Sequence, residues 1–256
     1  MTSLLRRVAL TLGIVLMVVV LLGGAATAVS FATLKRAEQR HSYDLSGSRL
    51  VVDSENASIH ITPGASGKVE LDTHLHYSQL SQAKPTASLE GDRLVLRDGC
   101  RHFVSFYCDV RYDLRVPASV ALQVRSGNGE VRVGGMTGDL DLRTSNGAIT
   151  TDGARAGLRL RNSNGPITAT GLHTDAVEAT TSNAGITLSF LVAPRRVDAR
   201  SDNGGVRIVV PRQGGPYRVD ADTSNGRSRV DVPTDPDAPS TITARTSNAD
   251  LTISRA

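Results

Sequence analysis

Apolar and polar residues alternate over short runs along most of this chain, and the alternation itself repeats. Seven times, a short strand-like run leads into a Ser-Asn-Gly-like corner, and a second short run follows. The residues six and four positions before each corner asparagine are apolar, with a polar residue between them in each unit. This period of two predicts strands with one buried face and one solvated face. The corner asparagines are Asn128, Asn146, Asn164, Asn183, Asn203, Asn225 and Asn248.

The spacing of the corners indicates the fold class. Successive asparagines are 18, 18, 19, 20, 22 and 23 residues apart. A period near twenty residues is typical of stacked β architectures in which each repeat forms one coil. A second apolar pair follows most corners, so we predict a right-handed parallel β-solenoid with about two strands per coil over residues 121–254. Ser228 replaces the first apolar residue after Asn225, and this predicts a shifted register or a bulge in that unit.

The corners themselves predict a structural role for the asparagines. Gly or Ala follows each one, and Asn and Gly tolerate the positive φ that a tight corner demands. If the coils stack in register, the seven amides form a hydrogen-bonded ladder along the stack. Threonines two residues earlier offer a second ladder. A ligand-binding stripe is the alternative, but repetition in every coil favours structure. The threonines are Thr144, Thr181, Thr223 and Thr246.

Residues 45–120 are also rich in strand-like runs but are irregular. Leu50 and Val52 before Asn56, and Ile59 and Ile61 after it, resemble a first coil. We expect this region to begin the sheet and to cover the first repeat. No linker separates it from the repeats, so residues 41–256 are predicted to form one extracytoplasmic β-solenoid domain.

The N-terminal residues 1–40 predict a membrane anchor or a signal segment. Residues 8–34 carry no charge and are flanked by basic residues on both sides, and about 20 apolar residues span a bilayer. We favour one uncleaved transmembrane helix. The alternative is a secretory signal peptide cleaved near Ala28, in which case the protein is secreted. Both interpretations export the rest of the chain, and the favoured one predicts a single-pass membrane protein.

Seven residues separate the two cysteines, Cys100 and Cys108, which lie between strand-like segments. An even number of cysteines in an exported chain suggests a disulfide. A zinc site or a redox role is the weaker alternative, because neither further ligands nor a Cys-x-x-Cys motif accompanies the pair.

Charge and composition exclude some functions. The chain holds 29 basic and 25 acidic residues; removing residues 1–40, which hold five basic and one acidic, leaves 24 of each. A neutral domain with few aromatic residues is a poor nucleic-acid binder. Acidic residues alternate outward along strands, as on a solvated face, so we predict no catalytic site and no cofactor. His74, His76 and His60 could hold a metal, but no supporting ligand spacing accompanies them, and none is predicted.

Three insertions follow the second strands of later coils. Per-repeat insertions on one face are often the binding face, although surface loops accept insertions readily. The most suggestive insertion is apolar where a turn is expected. The predicted interaction edge consists of Phe190, Leu191, Val192 and Tyr217.

The order of these features resembles a known family. An N-terminal anchor precedes Cys100 and Cys108, the segment Tyr112-Asp113-Leu114-Arg115-Val116-Pro117 follows, and Asn-Gly-type coils complete the chain. Over about residues 45–254 this resembles the bacterial "putative adhesin" family of β-strand-repeat proteins and the similar auto-transporter adhesin-head-like domain. The resemblance implies a β-solenoid exposed on the bacterial cell surface and implies no catalytic residues.

The sequence therefore predicts a non-catalytic, membrane-anchored, adhesin-like binding module for an unknown protein or glycan ligand. A structural or signalling component of the cell envelope, partnered with another membrane protein, is the first alternative. A carbohydrate-active β-helix enzyme is the second. Converging carboxylates in a groove would favour the enzyme, and an exposed apolar edge would favour a protein partner.

Overall fold

The computed structural model describes residues 12–21, 35–77, 84–100 and 108–256. Residues 12–21 form a short helix, α1. The other regular secondary structure of the described residues is β-strand, as the alternation with a period of two predicts. The strands are β1 (Lys35–Asp44), β2 (Arg49–Ser54), β3 (Ser58–Gly64), β4 (Lys68–Tyr77), β5 (Thr86–Glu90), β6 (Arg93–Arg97), β7 (Cys108–Pro117), β8 (Ala121–Ser126), β9 (Val131–Gly134), β10 (Leu140–Thr144), β11 (Ile149–Asp152), β12 (Leu158–Asn162), β13 (Ile167–Leu172), β14 (Ala176–Thr181), β15 (Ile186–Phe190), β16 (Arg196–Ser201), β17 (Val206–Val210), β18 (Arg218–Thr223), β19 (Ser228–Asp231), β20 (Thr241–Thr246) and β21 (Leu251–Arg255).

The strands form two large sheets, so the all-β prediction is confirmed. Sheet A has 11 strands in the order β1-β4-β7-β3-β9-β11-β13-β15-β17-β21-β19. Sheet B has 10 strands in the order β18-β20-β16-β14-β12-β10-β8-β2-β6-β5. Within the repeats, consecutive strands of the chain therefore alternate between the two sheets.

Equivalent residues of successive repeats are aligned between neighbouring strands. In sheet B, Leu140 of β10 is paired with Leu122 on one side and Leu158 on the other, and all these strands are parallel. In sheet A, Ile149 of β11 is paired in the same way with Val131 and Ile167. Register is fixed because a slip of one residue would turn every apolar side chain to the solvated face.

The core is made of the inward rows of both sheets. Each row contributes side chains that are almost fully buried, while the residues between them are exposed or half-buried. Burying a side chain of this size contributes about 1.5–3 kcal/mol. The two inward rows of sheet B in the repeats begin with Leu122 and Val124, and those of sheet A begin with Val131 and Val133.

The last repeat of the sequence is not the last in space. β20 pairs with β16 on one side and with β18 on the other, and β21 lies between β17 and β19 in the same way. The C-terminal coil is therefore inserted between the Asn203 coil and the Asn225 coil. The coils therefore do not follow one another in chain order, and the final strand of the chain is not an edge of its sheet.

Burial explains the inserted position. Ile242 and Ala244 of β20, and Leu251 and Ile253 of β21, are fully buried between the neighbouring coils. The displaced coil is the more polar one, because all four residues of β19 are exposed. Placing the apolar coil inside and the polar coil at the edge buries more apolar surface than the order of the sequence would.

The predicted register shift at Asn225 is wrong. Ser228 is paired with Leu251 and Val230 with Ile253, so β19 keeps the register of the other coils. A serine at an inward position is tolerated there because this coil is the edge of the sheet, where one side is solvated. A polar, charged edge strand also resists pairing with other chains.

The reason for glycine after the corner asparagine differs from the one expected. Among the described residues, no residue other than glycine has a positive φ, and the corner glycines are not among those that do. Instead, an added Cβ at Gly147 would overlap the carbonyl oxygen of Gly129 in the neighbouring coil. Glycine is required by the close approach of two corners. Ala184 and Ala249 show that two coils accommodate a methyl group at this position.

The threonines near the corners do not form a ladder with one another. Thr144 Oγ1 donates to the carbonyl oxygen of Gly129 at 3.3 Å, and Thr181 Oγ1 donates to that of Gly165 at 3.2 Å. Each hydroxyl therefore binds a corner of the neighbouring coil. These side chains are buried, so the bonds satisfy groups that would otherwise be costly to bury.

The N-terminal region extends both sheets. β2 pairs with β8 and β3 pairs with β9, in the same register as the repeats, as the resemblance to a first coil predicts. β6 adds a further parallel strand to β2, and β5 closes that end of sheet B as an antiparallel partner of β6. The open edge of the parallel stack is thereby covered at this end, whereas β18 and β19 form the edge at the other.

The chain divides into two compact units. The larger consists of Glu38–His74, Pro85–Asp98 and Val110–Ala256 and contains all the repeats. In the smaller unit, Cys100 and Cys108 form a disulfide with a Cα–Cα distance of 6.1 Å. The predicted disulfide is therefore confirmed. The segment that it closes, residues 101–107, lies outside the described residues.

The structure describes only part of the predicted N-terminal segment, residues 1–40. Among the residues described, no helix has both the length and the apolar character needed to cross a membrane. The predicted transmembrane helix is thus absent from the described part of the chain. Most of the uncharged run, including Ala28, lies outside it. β1 begins at Lys35, before residue 41, where we placed the start of the exported domain.

The corner contacts can be tested with two glycines that differ in their surroundings. We expect Gly147→Ala to destabilise the protein by about 2 kcal/mol, because the methyl group would force two stacked corners apart. Gly134→Ala is the matched control, since a Cβ at Gly134 has no atom within 4 Å, and its effect should be smaller than about 1 kcal/mol. Urea unfolding of both variants measures the difference between their free energies of unfolding. Equal losses of stability would contradict the close contact between the Gly147 and Gly129 corners.

Candidate functional site: a charged groove on sheet B

The structure places all seven predicted corner asparagines in one row and adds an eighth, Asn56. Each Nδ2 donates to the Oδ1 of the next side chain along the row, for example Asn164 to Asn146 at 2.7 Å and Asn183 to Asn164 at 2.7 Å. At the N-terminal end, Asn56 donates to a carboxylate oxygen of Asp98 at 3.0 Å. The in-space order is Asn56, Asn128, Asn146, Asn164, Asn183, Asn203, Asn248 and Asn225.

This row is a structural element, because each amide is used by its neighbours. Asn248 donates to Asn203 and accepts from Asn225, both at 2.8 Å. Asn225 donates only, and no described residue donates to its Oδ1. Although Asn248 is the last corner asparagine in the sequence, the inserted position of its coil makes it internal to the row.

Asn248 and Asn225 provide a matched test of that order. Asn248→Ala removes two hydrogen bonds and should destabilise the protein by about 1–2 kcal/mol. Asn225→Ala removes one at an exposed edge and should cost less than about 1 kcal/mol. Urea unfolding measures both variants. A greater cost at Asn225 would show that the coils stack in the order of the sequence.

The predicted interaction edge divides into two buried and two exposed residues. Phe190 is 2% exposed and Tyr217 is 1% exposed, so both belong to the core and not to a surface. Leu191 and Val192 are 60% and 45% exposed. The inclusion of Phe190 and Tyr217 is corrected because these aromatic side chains, at the end of β15 and directly before β18, are turned inward to cover the core.

The histidines lie on the outer face of sheet A. His74 Nε2 is 2.9 Å from Asp113 Oδ2, and His60 Nδ1 is 3.5 Å from Asp113 Oδ1. Arg111 also approaches Asp113, at 3.4 Å. In the part of the chain that the structure describes, no group of three or more His, Cys, Asp or Glu residues is arranged to hold a metal ion. The two histidines and Arg111 form a chain of polar contacts with Asp113 across neighbouring strands.

A groove of about 630 Å³ crosses the outer face of sheet B. Its lining comes from the first residues of six neighbouring strands, β2, β8, β10, β12, β14 and β16. Adjacent strands are about 4.8 Å apart, so five spacings give a groove about 24 Å long. The depression forms because Ala121, Gly157 and Ala176 occupy outward positions where other strands carry long side chains. Its polar side chains are Arg49, Gln123, Asp139, Asp141, Arg159, Glu178, Arg196 and Asp198.

Hydrogen bonds between neighbouring strands and within a single strand hold much of this lining in place. Arg49 donates to Gln123 Oε1 at 2.8 Å, and Arg143 donates to both oxygens of Asp141 at 3.0 Å. Such two-point contacts between a guanidinium and a carboxylate fix the orientation of both groups. The groove therefore has a pre-formed polar surface.

Other groups in the groove have unused hydrogen-bonding capacity. Asp198 Oδ1 is buried and has no hydrogen-bond partner in the described structure, while Oδ2 accepts from Arg200 at 3.0 Å. The side chain of Arg196, two residues earlier on the same face of β16, is exposed and makes no hydrogen bond or ion pair within the described residues. Asp139 Oδ1 accepts from the backbone N–H of Gly157 at 2.8 Å.

Glu178 is the acidic centre of the groove. Arg159 donates to one of its oxygens at 3.0 Å and Arg161 to the other at 2.7 Å. Burial opposes ionisation, but the hydrogen bonds and the positive charges of these two arginines outweigh it and lower the pKa of Glu178. The carboxylate is therefore ionised at neutral pH and is not a general acid there.

The lowered pKa of Glu178 predicts a pH-dependent contribution to stability. A carboxyl group whose pKa is lower in the folded state stabilises the fold above its unfolded pKa, and this contribution is lost as pH falls through the folded value. Glu178→Gln should therefore destabilise the protein at pH 7, by about 0.5 kcal/mol because the group is partly exposed. The thermal unfolding midpoints of the wild-type and variant proteins should differ at pH 7 and converge near pH 3. A constant difference across that range would contradict the electrostatic explanation.

Sequence reasoning missed this groove. The predictions followed the inward rows and the corners, whereas the groove depends on small outward residues seven positions before three of the corners. Ala121 and Gly157 stand seven residues before Asn128 and Asn164, and Ala176 stands seven before Asn183. Three small residues at the same repeat position are the signal that could have indicated a depression.

Comparison with known proteins identifies distant similarity only. No protein-family model and no curated protein matches the chain. A "putative cell adhesion protein" from Clostridium sporogenes has 9% identity and a TM-score of 0.41, with 87% of this chain and 100% of that chain covered. A "putative adhesin" from Parabacteroides merdae has 11% identity and a TM-score of 0.43, covering 86% and 96%.

A third crystal structure carries a different description. It is a "putative lipid binding protein" from Parabacteroides distasonis, with 7% identity, a TM-score of 0.45 and coverage of 84% and 96%. At such identities and TM-scores, the function of the present chain has to be argued from its own residues.

Proposed function

We propose that this protein is a non-catalytic, adhesin-like surface module that binds an extended ligand in the groove of sheet B. The observation that carries this proposal is the groove itself, about 630 Å³ in volume and lined by six neighbouring strands. A long, shallow depression suits a chain-like ligand that lies across the strands. A compact substrate would leave most of such a surface unused.

A binding role is supported by the state of the groove's charged groups. Asp141 and Glu178 are each held by guanidinium groups, so neither is poised to transfer a proton. Side chains fixed by their neighbours lose little entropy when a ligand binds. The arrangement therefore favours recognition of a ligand and not its chemical conversion.

The finer description of the fold belongs to the same proposal. We infer a parallel β-solenoid with two strands per coil, and the support is that successive strands of the repeats alternate between two parallel, in-register arrays. Right-handed winding stays a prediction. In this arrangement, each added coil extends the groove by one strand, which explains how a repeat can build a long binding surface.

We also propose that the module acts outside the cytoplasm, anchored to the cell membrane by residues 1–40, or secreted if that segment is cleaved. The support is the uncharged run of residues 8–34 between basic flanks and the disulfide between Cys100 and Cys108. Disulfides persist in oxidising compartments and are rare in the cytosol.

A protein partner in the cell envelope is a second candidate function. It is favoured by Leu191 and Val192, which expose adjacent apolar side chains at the end of β15. Within that function, the partner would be a membrane protein and the module would act in structure or signalling.

Blocking the groove tests the leading proposal. Ala176→Tyr places a large side chain on the floor of the groove, and Thr187→Tyr places the same side chain on the outer face of sheet A. Full-length wild-type and variant proteins should be compared on arrays of glycans and extracellular matrix proteins. We expect Ala176→Tyr to abolish the wild-type signals and Thr187→Tyr to retain them; unchanged signals with Ala176→Tyr would refute a binding role for the groove.

A further inference from the structure

We infer that the ligand of the groove is an uncharged, hydroxyl-rich polymer, a neutral glycan chain that lies across the strands. This inference rests on the proposed binding function and specifies the chemistry of its ligand. It follows from the charge balance of the groove, from the hydrogen-bonding capacity that its own residues leave unused, and from its repeat distance.

The charges of the groove disfavour a charged polymer. Three arginines and four carboxylates line it, and the two signs alternate along its length. Three of those carboxylates are also paired with arginines on the same face, Arg143, Arg161 and Arg200. A polyanion would meet a carboxylate on three of the six strands, β10, β14 and β16, and a polycation would meet a guanidinium on three, β2, β12 and β16. Like charges brought together in this way cost free energy and exclude such ligands.

The unused polar groups call for a partner that both donates and accepts hydrogen bonds. Asp198 Oδ1 needs a donor, since it is buried without one in the described structure. Arg196 offers donors and occupies the same face of the same strand. A pair of neighbouring hydroxyl groups can satisfy both, because one hydroxyl donates to the carboxylate while the other accepts from the guanidinium. A small rotation of the Asp198 carboxyl would turn Oδ1 toward the groove.

The periodicity of the groove indicates a polymer. Outward residues of adjacent strands repeat every 4.8 Å or so, and the same lining positions recur on six strands. A chain of linked sugar rings repeats over a similar distance. Each ring would therefore meet one strand, and affinity should increase with each ring until the chain spans the groove.

Titration of the full-length protein with neutral oligosaccharides tests this inference. The probes are β-linked and α-linked glucose oligomers of two to six units, with oligogalacturonate and polyglutamate peptides as anionic comparators. We expect calorimetry to detect the neutral oligomers of at least one linkage, with affinity increasing up to about six units, one for each of the six strands. The anionic probes should bind more weakly.

Two substitutions give matched controls. Asp198→Asn keeps the shape of the side chain but replaces an acceptor by an amide, and it should weaken binding by about threefold to tenfold, the effect of one hydrogen bond. Arg207→Ala changes an exposed residue on the outer face of sheet A and should leave affinity unchanged. Circular dichroism of each variant verifies that the fold is intact.

The outcomes separate this inference from the proposed function. If Ala176→Tyr abolishes binding on the arrays but no neutral oligomer binds at millimolar concentration, the groove binds a ligand of another class and the inference is wrong. Preferential binding of oligogalacturonate or of the peptide also overturns it. If neutral oligomers bind and Ala176→Tyr and Asp198→Asn have no effect, the ligand occupies another surface and both proposals fail.

Discussion

Hydrogen bonding between parallel strands of neighbouring coils is the interaction on which the rest of this structure depends. A single coil of about twenty residues cannot bury its apolar face alone, so it is stable only when others lie above and below it. In-register stacking places like residues on one another. Every other regular feature follows from this: the inward apolar rows, the asparagine row, the close contact of corner glycines and the outward rows of charge.

Stacking also creates two ends, and the molecule treats them differently. At one end, β6 extends the parallel stack and β5 closes sheet B as an antiparallel strand, and Asp98 accepts the last amide of the asparagine row. At the other end, a polar coil lies outermost and a more apolar coil, although later in the sequence, is inserted beneath it. An apolar coil gains most from having neighbours on both sides, and a charged edge strand limits association with other chains.

The groove is a consequence of the same regularity. Where one outward position carries small residues in several coils, a depression forms across the strands, and the charged residues beside it are aligned by the register. Neighbouring arginines and carboxylates then fix one another, so the polar surface of the groove is ordered mainly by strands. This distinguishes it from sites built on loops, which are more mobile.

The sequence by itself determined the all-β class, the period of the repeat, the buried rows and the position of the disulfide, because these depend on local alternation and on spacing. Asn164 illustrates this, since its place in the row follows from its repeat position alone. The tertiary structure decided the features that depend on which coils and strands become neighbours. Asn248 has two neighbours only because its coil is inserted, Tyr217 is buried only because of the strands around it, and Gly147 is needed for a contact with another coil. The groove could not be predicted from one strand, since its walls and floor come from residues that only the stacking of six strands brings together.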